Sequence, residues 1–153
     1  MEHNFDSNLL LSKIESLLEN ETDEIAALAT VACELHIAFT TDWTGFYRVT
    51  APEMLTVGPY QGGHGCLRIP FSRGVCGESA RTKSTILLNN VHEHQDHIAC
   101  SATTLSELVI PVFNSKGDVK AVLDLDSNHE AFFTEQHRQV CETICRRLSA
   151  FYG

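Results

Sequence analysis

The sequence is short of basic residues and contains no long apolar run. Its 11 Lys and Arg residues stand against 20 Asp and Glu, a net charge of −9, so nucleic acid and anionic membranes are poor partners. No stretch reaches the apolar length that spans a bilayer. Residues 1–6 carry no basic region followed by an apolar segment, so we expect no secretory signal and a cytoplasmic location.

The chain also lacks a Cys-x-x-Cys motif. Because thiols stay reduced in the cytosol, the 6 cysteines indicate metal ligands, catalytic groups or core residues more than a disulfide framework. Four histidines lie close to cysteines: His64, His92, His94 and His97. Their spacing matches no usual zinc signature, so we expect no metal and no cofactor, although a metal-binding module stays an alternative. These histidines could instead hold a loop, or raise the thiolate fraction of Cys100.

No repeat, low-complexity tract or linker divides the 153 residues, which predicts one domain spanning 1–153. Apolar spacing and β-forming residues predict helices at 7–19, 23–38 and 77–83, a final helix from Thr134, and strands at 45–49, 54–60, 67–69, 84–88, 107–113 and 119–126. Turn residues at 50–53 and 114–117 predict two hairpins. Residues 89–106 are polar and aperiodic, which predicts a long functional loop. This order favours an α+β fold, an antiparallel sheet flanked by helices.

The cysteines divide into two groups by their neighbours. Small or flexible residues surround three of them, which we take as loop cysteines: Cys66, Cys76 and Cys100. Helical apolar positions hold the other three, which we expect to be packed: Cys33, Cys141 and Cys145. Any one loop cysteine could be a small hydrophobe. Three together favour redox chemistry, in which one thiolate attacks and a second thiol resolves its sulfenic acid as a reversible disulfide.

Three carboxylates are predicted to converge. Asp124 and Asp126 alternate with Leu125 and therefore share one face of a strand. The hairpin turn places Glu107 near the same end. Taken alone each acid could be a solvated strand end, but close carboxylates repel, so one can have a raised pKa and act as a general acid. The cluster suits an ammonium group, and Trp43 could wall a pocket for a methyl group or simply pack in the core.

Several segments resemble the free methionine-(R)-sulfoxide reductases, a family of GAF-domain enzymes. They are Asp42–Tyr47, Gly58–Gly62, Cys66–Pro70, Arg73–Gly77, Val91-His92, His97–Cys100, Ser106–Pro111 and Val122–Ser127. The resemblance runs from about residue 8 to the end of the chain. It implies a single GAF-like domain with about six antiparallel strands and flanking helices, commonly as a homodimer. A generic, non-catalytic GAF sensor of a small ligand or of redox state is the alternative.

The resemblance also implies roles for the loop cysteines. Cys100 would attack the sulfur of free methionine-(R)-sulfoxide, and Cys66 would resolve the sulfenic acid as a disulfide that thioredoxin reduces. Cys76 would be a second resolving or relay thiol.

The same resemblance implies a substrate site. Glu107, Asp124 and Asp126 would hold the substrate and help protonate the departing oxygen, with Trp43 beside its methyl group. One segment departs from the family pattern, because Gly62–Gly65 is richer in glycine than the family leads us to expect. We expect this loop to close differently over the pocket.

Overall fold

The computed structural model describes residues 4–95 and 100–153. Its elements are α1 (Ser7–Leu18), α2 (Glu24–Phe39), β1 (Trp43–Ala51), β2 (Met54–Gly62), β3 (Arg68–Pro70), α3 (Gly74–Thr82), β4 (Ile86–Leu88), a 3₁₀ helix (Val91–Glu93), β5 (Ser106–Phe113), β6 (Val119–Ser127), α4 (Glu135–Leu148) and a 3₁₀ turn (Ser149–Tyr152). The strands form one antiparallel sheet in the order β3-β2-β1-β6-β5-β4. The predicted α+β class and strand number are confirmed.

Side-chain caps fix the starts of the long helices. Asp6 accepts a hydrogen bond from the backbone N–H of Leu9 at 3.0 Å, and Asp23 accepts one from Ala26 at 2.8 Å. Thr134 and His137 form a capping box at the start of α4, the helix that the sequence predicts to begin near Thr134. Each cap satisfies N–H groups that a helix start leaves unpaired, so these positions specify where the helices begin. No helix within the described ranges is long and apolar enough to cross a lipid bilayer.

The sheet separates two apolar clusters. The larger cluster packs α1, α2 and α4 against one face, and it includes Leu108, Leu123 and Leu125 from the strands. Cys141 and Cys145 lie buried in it, which confirms that they are packed. The smaller cluster lies on the other face, beneath α3 and the connections around it. Because strand side chains alternate, Asp124 and Asp126 point to this second face while Leu125 points to the helices.

The prediction for α3 was wrong at its start. The helix begins at Gly74, which has φ +73°, and not at Gly77. A Cβ on Gly77 would lie 2.9 Å from the carbonyl oxygen of Phe71, so this glycine permits close packing and does not break the helix. Cys76 is therefore a buried helical residue, which corrects its assignment to a loop.

The β5–β6 hairpin sets the register on which the site depends. The Asn114 side chain accepts hydrogen bonds from Lys116 and Asp118, and Gly117 adopts φ +83°. This turn pairs Glu107 directly with Asp126, as expected from the hairpin. The β1–β2 hairpin is also confirmed, although β1 continues to Ala51 and shortens the turn.

Candidate functional site

Cys66 and Cys100 form a disulfide, with their Cα atoms 5.3 Å apart. Cys66 precedes β3, and Cys100 lies in the connection between the first 3₁₀ helix and β5. Both are partly buried and pack against the smaller apolar cluster. The fold therefore joins two of the three predicted redox cysteines covalently and leaves Cys76 as a free thiol.

The three predicted acids meet beside this disulfide. Glu107 and Asp124 are only 5% and 4% exposed, and Asp126 is partly buried. Asp126 lies opposite Glu107 across the β5–β6 ladder, and Asp124 lies two residues back on the same face. Among the described residues, the Oδ1 atom of Asp124 is buried without a hydrogen-bond partner. A buried acceptor without a partner is costly, and a cationic ligand would satisfy it.

Burial is the main reason that the pKa values of these acids are raised. The pKa of Glu107 is well above its usual range because of burial and then the charges of Asp124 and Asp126. Burial and the Asp124 charge likewise hold the pKa of Asp126 well above its usual range. Burial also raises the pKa of Asp124, but hydrogen bonds from its neighbours favour its charged form. Burial and mutual repulsion therefore favour the protonated forms of Glu107 and Asp126, while the carboxylate of Asp124 accepts hydrogen bonds.

Cys76 lies against the same acids. Burial, followed by the Asp124 charge, raises the pKa of the Cys76 thiol well above its usual range. Its sulfur and one carboxylate oxygen each of Glu107 and Asp124 lie within 4.8 Å of one another, close enough to surround a metal ion. Because thiol and carboxyl protons would first have to leave, this set is better suited to holding protons than to binding a metal.

A small cavity connects the disulfide with the acids. Its wall consists of Ile69, Gly74, Val75, Cys76, Cys100, Ser101, Thr104, Glu107, Asp124 and Asp126. Its volume is about 20 Å³, room for about one water molecule. A larger cavity of about 420 Å³ lies elsewhere, between the residues after α3, β5 and α4. Its one cysteine, Cys145, is a buried thiol with a raised pKa, so the smaller cavity is the better candidate for thiol chemistry.

Trp43 lies near the site but not on the wall of this cavity. It stands opposite Asp126 on the neighbouring strand. Its indole stacks between Tyr47 and Tyr60, at centroid distances of 5.8 and 5.3 Å, and its N–H donates to the carbonyl of Gly63 at 2.7 Å. Trp43 therefore supports the glycine-rich loop that leads to Cys66.

Gly45 makes room for this arrangement. A Cβ at position 45 would lie 2.6 Å from the Cη2 atom of Trp43, which is closer than real Cβ atoms come. We expect Gly45→Ala to lower the free energy of unfolding by about 1–3 kcal/mol, because the indole must shift. Chemical denaturation measures this, with Gly63→Ala as the control because a Cβ there meets nothing within 4 Å. Equal stability of the two variants would contradict this packing.

Tyr47 lies near the candidate site without lining its cavity, and no role was predicted for it from the sequence. It is 1% exposed, and burial followed by the Asp124 charge raises the pKa of its hydroxyl. A Cβ on Gly65 would lie 2.8 Å from this hydroxyl oxygen, so the tyrosine lies beneath the loop before Cys66. Tyr47 follows Gly45 by two residues and Trp43 by four on the same strand, so strand alternation places all three on one face. That spacing was the available signal. Ser101 and Thr104, also missed, lie in the aperiodic loop and carried no signal.

The predicted histidine cluster is not gathered at the cavity. His64 and His92 are exposed, and His94 pairs with Glu78 at 2.6 Å. His97 lies outside the described residues. Within 4–95 and 100–153, no group of three or more possible metal donors includes a histidine. The histidine-based metal module is thus unsupported in the part of the chain that the structure describes.

Comparisons with known proteins add to this geometry. Residues 19–151 match the family model described as GAF domain. The free methionine-R-sulfoxide reductase of Escherichia coli is 37% identical over 134 residues, which cover 87% of this chain and 80% of that protein. The chain belongs to the GAF domain family, together with the free methionine-R-sulfoxide reductases. The family expected from the sequence motifs is confirmed.

Two further members of this GAF group match nearly the whole chain. The free methionine-R-sulfoxide reductase of Saccharomyces cerevisiae is 30% identical over 161 residues, covering 95% of this chain and 89% of that protein. An X-ray structure of the Neisseria meningitidis free methionine-R-sulfoxide reductase in complex with its substrate superposes with a TM-score of 0.92 at 37% identity. That match covers 99% of this chain and 96% of the other. The GAF fold is thus shared over its full extent.

Proposed function

We propose that the protein reduces free methionine-(R)-sulfoxide to methionine through a thiol cycle. The observation that carries the proposal is the Cys66–Cys100 disulfide at a cavity lined by Glu107, Asp124 and Asp126. The relatives named for this activity support it, because they share the fold and at least 30% identity over most of the chain. A sensor of a small ligand would need no second thiol within bonding distance, and a sensor of redox state would need the two thiols but no proton reservoir beside them.

The chemistry takes three steps. The Cys100 thiolate attacks the sulfoxide sulfur while a carboxyl of Glu107 or Asp126 protonates the oxygen, and the oxygen passes to Cys100 as a sulfenic acid. This step releases methionine. The Cys66 thiol then displaces water from the sulfenic acid and forms the disulfide, and a dithiol reductant, which we propose is thioredoxin, returns both cysteines to thiols.

The charge state of the acids suits an amino acid substrate. A thiolate beside three ionised carboxylates would be strongly disfavoured, but protonated Glu107 and Asp126 remove most of that repulsion. The unpartnered Oδ1 of Asp124 can accept a hydrogen bond from the substrate ammonium. A free amine is then part of what the site recognises, and a peptide nitrogen, which is neutral and blocked, is rejected.

The cavity volume indicates the order of events. Space for about one water cannot hold methionine sulfoxide while the disulfide is formed. We propose that the disulfide is the state left after turnover, and that substrate enters once it has been reduced. Trp43 would then approach the substrate methyl group as the loop at Gly63 moves.

The proposal also covers the role of Cys76, the cellular location and the oligomeric state. Cys76 borders the cavity with Cys100, so it can serve as a second resolving or relay thiol when Cys66 is absent. We propose that the enzyme acts in the cytoplasm, where thioredoxin keeps thiols reduced, and that it is a homodimer.

An assay of substrate selectivity tests the proposed function. With dithiothreitol as reductant, we expect turnover of free methionine-(R)-sulfoxide and a rate at least about 100-fold lower for the S epimer and for N-acetylated or peptide-bound substrate. Cys33→Ser, which changes a partly buried thiol of α2, is the matched control and should keep full activity. Comparable reduction of free and peptide-bound substrate would refute the role of the acids. Binding of free substrate without turnover would favour the sensor.

A further inference from the structure

An open edge of the sheet lies beside the disulfide. β3 is the first strand in the order of the sheet, and within residues 4–95 and 100–153 no strand pairs with its outer side. Arg68, the first residue of β3, is exposed and follows Cys66 by two positions. Leu67, which lies between them, is 67% exposed although it is apolar. The chemistry proposed above gives neither Leu67 nor Arg68 a role.

The register of β3 turns main-chain groups of Arg68 away from the sheet. The N–H of Val57 in β2 donates to the carbonyl of Leu67 at 3.0 Å. Arg68 is the next residue along and stands opposite Thr56. Because bonded and non-bonded pairs alternate along an antiparallel ladder, the N–H and the carbonyl of Arg68 point outward. Such an unpaired edge is a template for an extended segment of another protein.

The open edge is confined to the end of β3 that carries the disulfide. At the other end Pro70 has no N–H, and a Cβ on Gly77 would lie 2.5 Å from the Pro70 carbonyl oxygen, so α3 covers that end. Cys100 borders the small cavity, which has room for about one water molecule, whereas Cys66 is not on its wall. A protein thiol therefore cannot reach the disulfide through the cavity, while the edge of β3 leads to Cys66.

We infer that a dithiol protein docks on the edge of β3 and reduces the disulfide by attacking Cys66. The inference rests on the proposed thiol cycle, and it names the surface and the sulfur that the reductant of that cycle uses. An extended segment of the reductant exchanges two main-chain hydrogen bonds with Arg68, and the side chain of Leu67 is buried in the contact.

The docked reductant transfers two electrons in two exchange steps. A thiolate of the reductant forms a bond to the Sγ atom of Cys66, and the bond between Cys66 and Cys100 breaks. The electron pair of that bond stays on Cys100, which leaves as a thiolate at the cavity lined by Glu107 and Asp126, whose carboxyl protons can neutralise it. The second thiolate of the reductant then attacks the first, which oxidises the reductant to a disulfide and releases Cys66 as a thiolate.

Reduction of the oxidised protein by thioredoxin tests the docking edge. Oxidised protein is mixed with reduced thioredoxin, and mass spectrometry of alkylated samples gives the rate at which the disulfide opens. We expect Arg68→Pro to slow this rate about three- to tenfold, because it removes the outward N–H and leaves the bonds to β2 in place. Arg68→Ala keeps the N–H, so it is the matched control and should react at the wild-type rate.

Leu67→Ser is a second variant, and it leaves the main chain unchanged. We expect it to slow reduction by thioredoxin about tenfold, because the contact loses a buried leucine side chain. Leu9→Ser is its matched control, since Leu9 is also 67% exposed but belongs to α1, on the opposite face of the sheet. Dithiothreitol needs no docking surface and should reduce all four variants at the wild-type rate.

A thioredoxin whose second active-site cysteine is replaced by serine identifies the attacked sulfur. It stops at the mixed disulfide, and we expect peptide mapping to find it attached to Cys66. Attachment to Cys100, wild-type rates for Arg68→Pro and Leu67→Ser, equal slowing with dithiothreitol, or no reduction of the wild type by thioredoxin would each overturn the inference. None of these readouts uses the sulfoxide. The expected docking results in a protein that does not reduce free methionine-(R)-sulfoxide with dithiothreitol would overturn the proposed function alone.

Discussion

Cys100→Ser abolishes turnover of free methionine-(R)-sulfoxide, because a serine hydroxyl is not ionised at neutral pH and is a far weaker nucleophile than a thiolate. The expected loss is about 10³-fold or more, the scale on which removal of a catalytic nucleophile acts. Steady-state release of methionine measures it, with dithiothreitol as the reductant. A variant that keeps a substantial part of the wild-type rate would end the assignment of Cys100 as the nucleophile.

Cys66→Ser is the matched partner of this variant, since it removes the other half of the same disulfide. The first turnover should proceed at the wild-type rate, because Cys100 still attacks the sulfoxide. Later turnovers should slow by roughly tenfold or more, since an external thiol must now resolve the sulfenic acid without the advantage of proximity. A residual fast cycle that disappears when Cys76→Ser is added would identify Cys76 as the second resolving thiol.

Glu107→Gln has the second largest expected effect, and it acts on activity and stability in opposite directions. Glutamine keeps the size of the side chain but cannot supply the proton to the sulfoxide oxygen. We expect kcat to fall by about 10²-fold, the lower end of what general acid catalysis contributes. Because the pKa of Glu107 is raised, wild-type kcat should fall as pH rises through the pKa of this carboxyl. The decrease of kcat with pH should be weaker in the variant. An unchanged kcat and pH profile would contradict the role.

The sign of the stability effect follows from the same raised pKa. Glu107 holds its proton more tightly in the folded protein than in the unfolded chain. Its contribution to the free energy of unfolding is therefore fully present below the pKa of the unfolded chain, about 4, and is lost as pH rises through the pKa of the folded protein. A neutral glutamine avoids this loss. The melting temperature of Glu107→Gln should therefore exceed that of the wild type at pH 8, and the difference should shrink toward pH 4. A difference that grows toward acid pH would show that Glu107 is ionised in the folded protein.

The parts of the fold that local sequence determines were predicted well. Helical spacing identified α1, α2 and α4, and the Asn114 turn established the β5–β6 hairpin. Strand alternation then brought Asp124 and Asp126 to one face, and the hairpin added Glu107. These features depend on residues close together along the chain, so a sequence pattern carries them.

The features that were missed depend on contacts between distant segments. The helix α3 was predicted to begin at Gly77 and not at Gly74, because the sequence does not show that the backbone of Phe71 lies against Gly77. The contacts by which Trp43 supports the glycine-rich loop, its stacking on the tyrosines around it and its bond to Gly63, were also missed. Its place beside a substrate methyl group stays a prediction. Tyr47 was overlooked because strand patterning alone does not distinguish a site residue from a core residue. The pairing of Cys66 with Cys100 came from family resemblance and not from spacing, which left the pairing open.

A single-turnover experiment tests the account most directly. Reduced protein is freed of external thiol and mixed with excess free methionine-(R)-sulfoxide. The methionine released and the disulfides formed are then quantified in the same sample. The account predicts one methionine per chain and one new disulfide, between Cys66 and Cys100, formed at matching stoichiometry. Methionine released while Cys100 remains a free thiol, or no methionine at all from fully reduced protein, would contradict it.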